Sequence, residues 1–88
     1  MRIVTVCGAG VGTSAILATT VRRALARLDV EADVAASSTD DVARDAADAQ
    51  LVLTTPEWFT RVRAEAGTAH VAVVDRIMDL DAVTSVLE

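Results

Sequence analysis

Four short apolar segments alternate with stretches of helical periodicity along the whole chain. The strand candidates are Ile3 to Val6, Glu31 to Ala36, Leu51 to Thr54 and Val71 to Val74. Short β-branched and aliphatic runs are typical of buried strands, and the weaker, alanine-rich second run indicates a sheet edge. Strands joined through helices form right-handed parallel crossovers. The sequence therefore predicts an α/β fold: a four-stranded parallel sheet with helices on both faces, an open three-layer αβα arrangement of Rossmann-like or phosphatase-like type.

The helix candidates carry recognisable start signals. The first, from Ser14 onward, has an apolar stripe formed by Leu17, Val21, Ala24, Leu25 and Leu28, while Arg22, Arg23 and Arg27 face elsewhere. A hydroxyl or carboxylate before the first turn can accept a hydrogen bond from a helix amide. The expected N-caps are Thr13 or Ser14, then Ser38, then Thr55 followed by Pro56, and finally Asp79.

Size and composition predict one domain that covers residues 1–88. With 52% hydrophobic and 24% charged residues, the chain has enough apolar surface to fold. The net charge of −5 argues against nucleic acid or an anionic membrane as a partner. No apolar run is long enough to insert into a membrane, and the single cysteine cannot form an internal disulfide. A reducing cytoplasm is the expected location.

The chemistry of the chain is concentrated between the first strand and the first helix. The segment Cys7-Gly8-Ala9-Gly10-Val11-Gly12-Thr13-Ser14 contains the only cysteine and all but one of the four glycines. In open parallel sheets, ligands bind at the carboxyl ends of the strands, near the switch in strand order. The functional site is therefore expected in this loop, where Cys7 follows the first strand.

Spacing excludes several glycine-loop motifs. The dinucleotide motif G-x-G-x-x-G fails from Gly8 because Thr13 replaces its last glycine, and from Gly10 because Ala15 does. A Walker A loop needs a lysine, and the chain has none: all its basic residues are arginines. The Cys-x5-Arg loop of thiol phosphatases and arsenate reductases needs an arginine where Thr13 stands, and Arg22 lies about 12 Å further along the helix.

A cysteine at the head of a glycine-rich anion cradle remains. Backbone amides and the positive end of a helix dipole bind oxyanions, and the same features lower the pKa of a thiol and favour the nucleophilic thiolate. The competing interpretation is that Cys7 is a small buried hydrophobic residue at a strand end. Because three glycines accompany it, we favour a reactive or anion-binding site.

Residues outside the loop support weaker hypotheses. The turns after the third and fourth strands should open on the same edge of the sheet as the loop, which makes Thr54, Thr55 and Asp75 candidate neighbours of the thiol. His70, at the start of the fourth strand, is interpreted as a solvated or capping residue rather than an acid, base or phosphoryl carrier. Trp58 and Phe59 are interpreted as packing residues, although one of them could border a docking surface.

The loop resembles the phosphocysteine loop of IIB components of the bacterial sugar phosphotransferase system. Its form is closest to C-G-x-G-x-G/A-[ST]-S of the ascorbate and galactitol branch. The resemblance continues through residues 48–55, which are similar to that family's third strand, and through residues 71–87, which are similar to its fourth strand and last helix.

The resemblance implies an enzyme component that carries a phosphoryl group. Cys7 would accept it from a phosphohistidine of a IIA protein or domain and pass it to a sugar or sugar-like substrate held by a membrane IIC permease. The phosphate would be bound by Gly8, Ala9, Gly10, Val11, Gly12, Thr13 and Ser14, with no cofactor and no metal, at the inner face of the membrane. The alternative is a non-catalytic module that binds an anion or a nucleotide, or a regulatory IIB-like domain.

Overall fold

A computed structural model describes residues 1–8 and 12–88 of the chain. The three predicted phosphate-binding residues Ala9, Gly10 and Val11 lie outside the described residues. The strands are β1 (Arg2–Val6), β2 (Asp33–Ser37), β3 (Leu51–Thr54) and β4 (His70–Val73). The helices are α1 (Gly12–Leu28), α2 (Val42–Asp45), α3 (Phe59–Glu65), which a 3₁₀ turn over Pro56–Trp58 precedes, and α4 (Leu80–Leu87).

The strands form one parallel sheet in the order β2-β1-β3-β4. In the sheet, β2 lies on one side of β1 and β3 lies on the other. The switch in strand order is therefore between β1 and β3. Val6, at the end of β1, pairs with Thr54 at the end of β3. The predicted α/β fold, its parallel sheet and the edge position of the second strand are confirmed. The carboxyl ends of the two central strands, β1 and β3, therefore lie side by side, and Cys7 directly follows the end of β1.

Apolar residues alternate across the sheet and supply two cores. On one face Ile3 and Leu53 pack with Leu17, Val21 and Val83 of α1 and α4. On the other face the core contains residues of β1 and β3 together with residues of α2 and α3: Val4, Val6, Val42, Val52 and Val62. The two faces are thus covered by helices, as the continuous apolar character of the central strands predicts.

Two of the predicted helix starts are correct and two are wrong. Thr55 and Pro56 begin the third helical segment, although the Thr55 hydroxyl makes no capping hydrogen bond to it. Asp79 caps α4, since its Oδ1 accepts the Ala82 N–H at 3.1 Å. Thr13 and Ser14, in contrast, lie inside α1, which begins at Gly12. Ser38 is also not a cap: Asp41 occupies the N-cap position of α2 without a side-chain bond to the helix.

Side chains of the central strand β3 are more deeply buried than those of the edge strand β4, so their truncation should cost more stability. Val52 is fully buried, whereas Val73 is 36% exposed. We expect Val52→Ala to lower the free energy of unfolding by about 2 kcal/mol, because two methyl groups leave a packed core. The same truncation in Val73→Ala should cost less than about 1 kcal/mol. Urea denaturation followed by circular dichroism measures both, and equal losses would contradict the assignment of a central and an edge strand.

Candidate functional site

Cys7 is held at the end of β1 by the first turn of α1. The backbone N–H of Cys7 donates to Oγ of Ser14 at 2.9 Å, and Oγ1 of Thr13 donates to the Cys7 carbonyl at 3.4 Å. The Oγ1 of Thr5, within β1, donates to the Ser14 carbonyl at 2.8 Å. Ser14 and Thr5 are fully buried. The hydroxyls that were predicted as helix caps therefore fix the peptide of Cys7 instead.

Gly8 continues the chain in a conformation that favours glycine. Its φ is +143°, and a Cβ at this position would lie 3.6 Å from the indole of Trp58, which is ordinary van der Waals contact. The Gly8 carbonyl accepts the N–H of Thr39 at 2.9 Å, which joins the loop to the segment after β2. Trp58, half-buried, thus packs against the second core and lies beside the loop. Backbone geometry rather than space makes glycine necessary here.

An open cavity of about 430 Å³ lies beside the thiol. Its walls come from the carboxyl end of β1, the first turn of α1 and the segments after β3 and β4: Cys7, Thr13, Thr55, Glu57, Asp75, Arg76, Ile77 and Met78. The structure therefore brings the predicted neighbours Thr55 and Asp75 together with Cys7. Thr54 is fully buried and does not line this cavity.

Arg76 was missed from the sequence, although it directly follows Asp75. The motif comparison excludes an arginine only within the loop, at the position of Thr13. The sheet topology supplies one from the segment after β4 instead. Arg22, by contrast, donates to the Val34 carbonyl at 2.8 Å and lines a different depression.

His70 lies far from this chemistry along the sheet. It is the first residue of β4 and pairs with Leu51, the first residue of β3. Because the strands are parallel, His70 stands at the amino edge of the sheet and Cys7 at the carboxyl edge. Its interpretation as a residue outside the thiol site agrees with this placement.

The protonation of Cys7 differs from the expectation for a helix N-terminus. Burial is the main effect that raises the pKa of its thiol from the ordinary 9.0 to about 11; a hydrogen bond with Ser14 lowers it, and the negative charge of Glu57 raises it. The sequence-based expectation of a lowered pKa is therefore wrong: the cost of a charge at this half-buried position exceeds the stabilisation of the thiolate. At neutral pH the thiol is protonated.

Across residues 1–8 and 12–88, no three His, Cys, Asp or Glu side chains converge in a group that could hold a metal ion. In the same part of the chain, no helix is both long and apolar enough to cross a membrane. The polar groups that face the cavity are hydroxyls, two carboxylates and one guanidinium around a thiol. This set can position an oxyanion and receive a transferred group on sulfur.

Comparison with known proteins points to one family. The family model described as "PTS system, Lactose/Cellobiose specific IIB subunit" matches residues 2–88. In fold, the chain is similar to the lactose-specific IIB component domain of the phosphoenolpyruvate:carbohydrate phosphotransferase system from Streptococcus pneumoniae. The TM-score is 0.71 and the identity 17%, over 99% of this chain and 94% of that one. No curated protein matches the chain significantly. The matching family is thus the lactose/cellobiose one, and the likeness of the loop to the ascorbate and galactitol branch stays a prediction from the sequence.

Removing the charge of Glu57 should make the thiol more acidic. Because this carboxylate opposes the thiolate, Glu57→Gln is expected to lower the pKa of Cys7 and increase its alkylation by iodoacetamide at pH 8 to 9. Ser14→Ala should have the opposite effect, since it removes the hydrogen bond that lowers the pKa. Glu31→Gln, an exposed position before β2, is the matched charge control and should leave the alkylation profile unchanged. A higher pKa in Glu57→Gln would contradict the role given to this carboxylate.

The two ends of the glycine loop should respond differently to alanine. Gly8→Ala forces an L side chain into a φ of +143° and is expected to destabilise the domain by about 1–3 kcal/mol. Gly12→Ala places a methyl group in open space at the first residue of α1, so its effect should stay within about 1 kcal/mol and favour the helix. Thermal unfolding compares the two, and equal stabilities would show that Gly8 is not conformationally required.

Proposed function

The chain belongs to the lactose/cellobiose-specific IIB family of the sugar phosphotransferase system, and on this premise we propose that Cys7 carries the phosphoryl group in transit. IIB is the phosphoryl-transfer subunit of such systems. The observation that carries the proposal is the position of the chain's only thiol. Cys7 stands at the carboxyl end of β1, before the first turn of α1, on the wall of an open cavity. A partner's phosphoryl group can approach it there.

In the loading step, Sγ of Cys7 attacks the phosphorus of a phosphohistidine on a IIA protein or domain. The S–P bond forms as the N–P bond breaks, and the thiol proton passes to the imidazole nitrogen that leaves. In the second step, a hydroxyl oxygen of the sugar bound by IIC attacks the phosphorus. The S–P bond then breaks, and the hydroxyl proton returns to the sulfur.

The raised pKa of Cys7 fits a step in which proton and phosphoryl group exchange together. Because the thiol is protonated at neutral pH, a base must remove its proton as the S–P bond forms. The leaving imidazole of the donor is such a base, and it arrives only with the phosphoryl group. A thiol of this kind reacts only slowly with other electrophiles at neutral pH until the donor is docked.

The surface around the cavity suits successive docking of two partners. Met78, 76% exposed, lies on the cavity wall, and Ile16, 43% exposed, lines an adjoining depression that Met78 also borders. Large exposed apolar side chains beside a site are typical of protein interaction surfaces. We expect IIA and the membrane IIC permease to dock in turn over this surface, which would hold the domain at the inner face of the membrane.

Phosphorylation in vitro tests the proposal. The protein is incubated with phosphoenolpyruvate, the general phosphotransferase proteins and a IIA protein, and intact-mass spectrometry measures addition of one phosphoryl group. We expect labelling of the wild type, loss of labelling in Cys7→Ser, and protection of the loaded thiol from iodoacetamide. In the double variant Cys7→Ser/Ser85→Cys the thiol moves to an exposed position on α4, where labelling should be absent.

The alternative function is a non-catalytic module that binds an anion or a nucleotide at the same loop, or a regulatory IIB-like domain. The burial that raises the pKa of Cys7 is the observation that favours it, because an unreactive thiol suits a binding site as well. Absence of labelling with every IIA protein, together with protection of Cys7 from iodoacetamide by inorganic phosphate, would support this alternative over the carrier.

A further inference from the structure

Arg76 supplies the cavity beside Cys7 with a positive charge that the glycine-rich loop lacks. Resting on the proposed function of Cys7, we infer that Arg76 binds the phosphoryl group while it is attached to the sulfur. Arg76 and Cys7 line the same cavity, from opposite sides of the switch in strand order: Cys7 follows β1, and Arg76 follows β4. A guanidinium binds phosphoryl oxygens through charge-assisted hydrogen bonds in a planar, bidentate geometry.

The segment that carries Arg76 is tied to the fold on both sides. Before it, the N–H of Val74 donates to the Thr54 carbonyl at 2.8 Å. After it, Oγ1 of Thr20 in α1 donates to the Ile77 carbonyl at 2.7 Å, and the N–H of Asp79 closes a turn onto the Arg76 carbonyl at 3.1 Å. Val74 is buried in the core. The backbone of Arg76 is therefore held at the cavity, and its side chain extends from a fixed origin.

The charges around the thiol make such a cation necessary. Glu57 and Asp75 also line the cavity, so a phosphoryl dianion on Cys7 meets two carboxylates there. Arg76 is the cationic side chain among the described residues that line this cavity. The ion pairs in the described part of the chain are made by Arg2, Arg27, Arg44 and Arg61, and none of them includes Arg76. Its guanidinium is available for a ligand.

The other arginines of the neighbouring surface are placed differently. Arg27 pairs with Asp81 at 2.8 Å, and Arg22 donates to a carbonyl of β2. Arg23, exposed on α1, lines the adjoining depression but not the Cys7 cavity. Arg23→Gln is therefore a matched control: it removes one positive charge close to the site without removing a residue from the cavity.

The test combines a rate with a spectroscopic titration. With phosphoenolpyruvate, the general proteins and saturating IIA, Arg76→Gln should slow phosphorylation of Cys7 by about tenfold, whereas Arg76→Lys, which keeps the charge but loses the bidentate geometry, should fall between Arg76→Gln and the wild type. Arg23→Gln should stay within about twofold. The ³¹P resonance of the loaded protein is then titrated with pH. A nearby guanidinium favours the dianion, so the phosphoryl pKa should rise in Arg76→Gln and remain low in Arg23→Gln.

Each outcome has a distinct meaning. If the wild type forms no phosphocysteine, the proposed function fails and this inference fails with it. If the wild type is loaded while Arg76→Gln matches it in rate and in phosphoryl pKa, the inference alone is overturned. It is equally overturned if Arg76→Gln raises only the IIA concentration needed for half-maximal rate, because Arg76 would then contact the donor protein rather than the phosphoryl group.

Discussion

The hydroxyl and carbonyl of Ser14 join the first strand to the first helix, and the candidate site depends on this junction. The hydroxyl receives the N–H of Cys7, and the carbonyl receives the hydroxyl of Thr5. Thr5 and Ser14 are fully buried, where an unmade hydrogen bond costs about 1–3 kcal/mol. The two hydrogen bonds therefore fix the position of the first turn of α1 relative to the end of β1. This position determines where the thiol leaves the sheet and which cavity it faces.

The same burial sets the limit on the thiol's reactivity. A helix N-terminus and a hydroxyl favour the thiolate, but Cys7 is close enough to the core for desolvation to dominate, and Glu57 adds to it. The site thus positions sulfur well and ionises it poorly. For an enzyme that must attack a free substrate this would be a defect. For a thiol that meets its phosphoryl donor inside a protein complex, as proposed for Cys7, ionisation can wait until the complex supplies the base.

The sequence predicted what depends on local chemistry. The β3 boundaries, the proline-led start at Thr55 and the Asp79 cap follow from residues a few positions apart, and the structure has them as expected. The sequence did not predict features that depend on residues far apart in the chain. Ser14 serves the Cys7 peptide rather than the helix end, and Ser37 binds Asp45, which anchors the short α2. Arg76 reaches the site through sheet topology; its place after β4, beside Asp75, was the one signal available.

The position of the arginine separates this site from a thiol phosphatase. In the Cys-x5-Arg loop the guanidinium belongs to the same loop as the thiol, whereas here Thr13 takes that position and Arg76 comes from another segment. Two carboxylates share the cavity with Arg76 and offset part of its attraction for a dianion. In the proposed assignment, the phosphoryl group is thus oriented by one guanidinium and opposed by nearby negative charge. A carrier needs this balance, because a phosphoryl group bound too tightly would not pass on to the next acceptor.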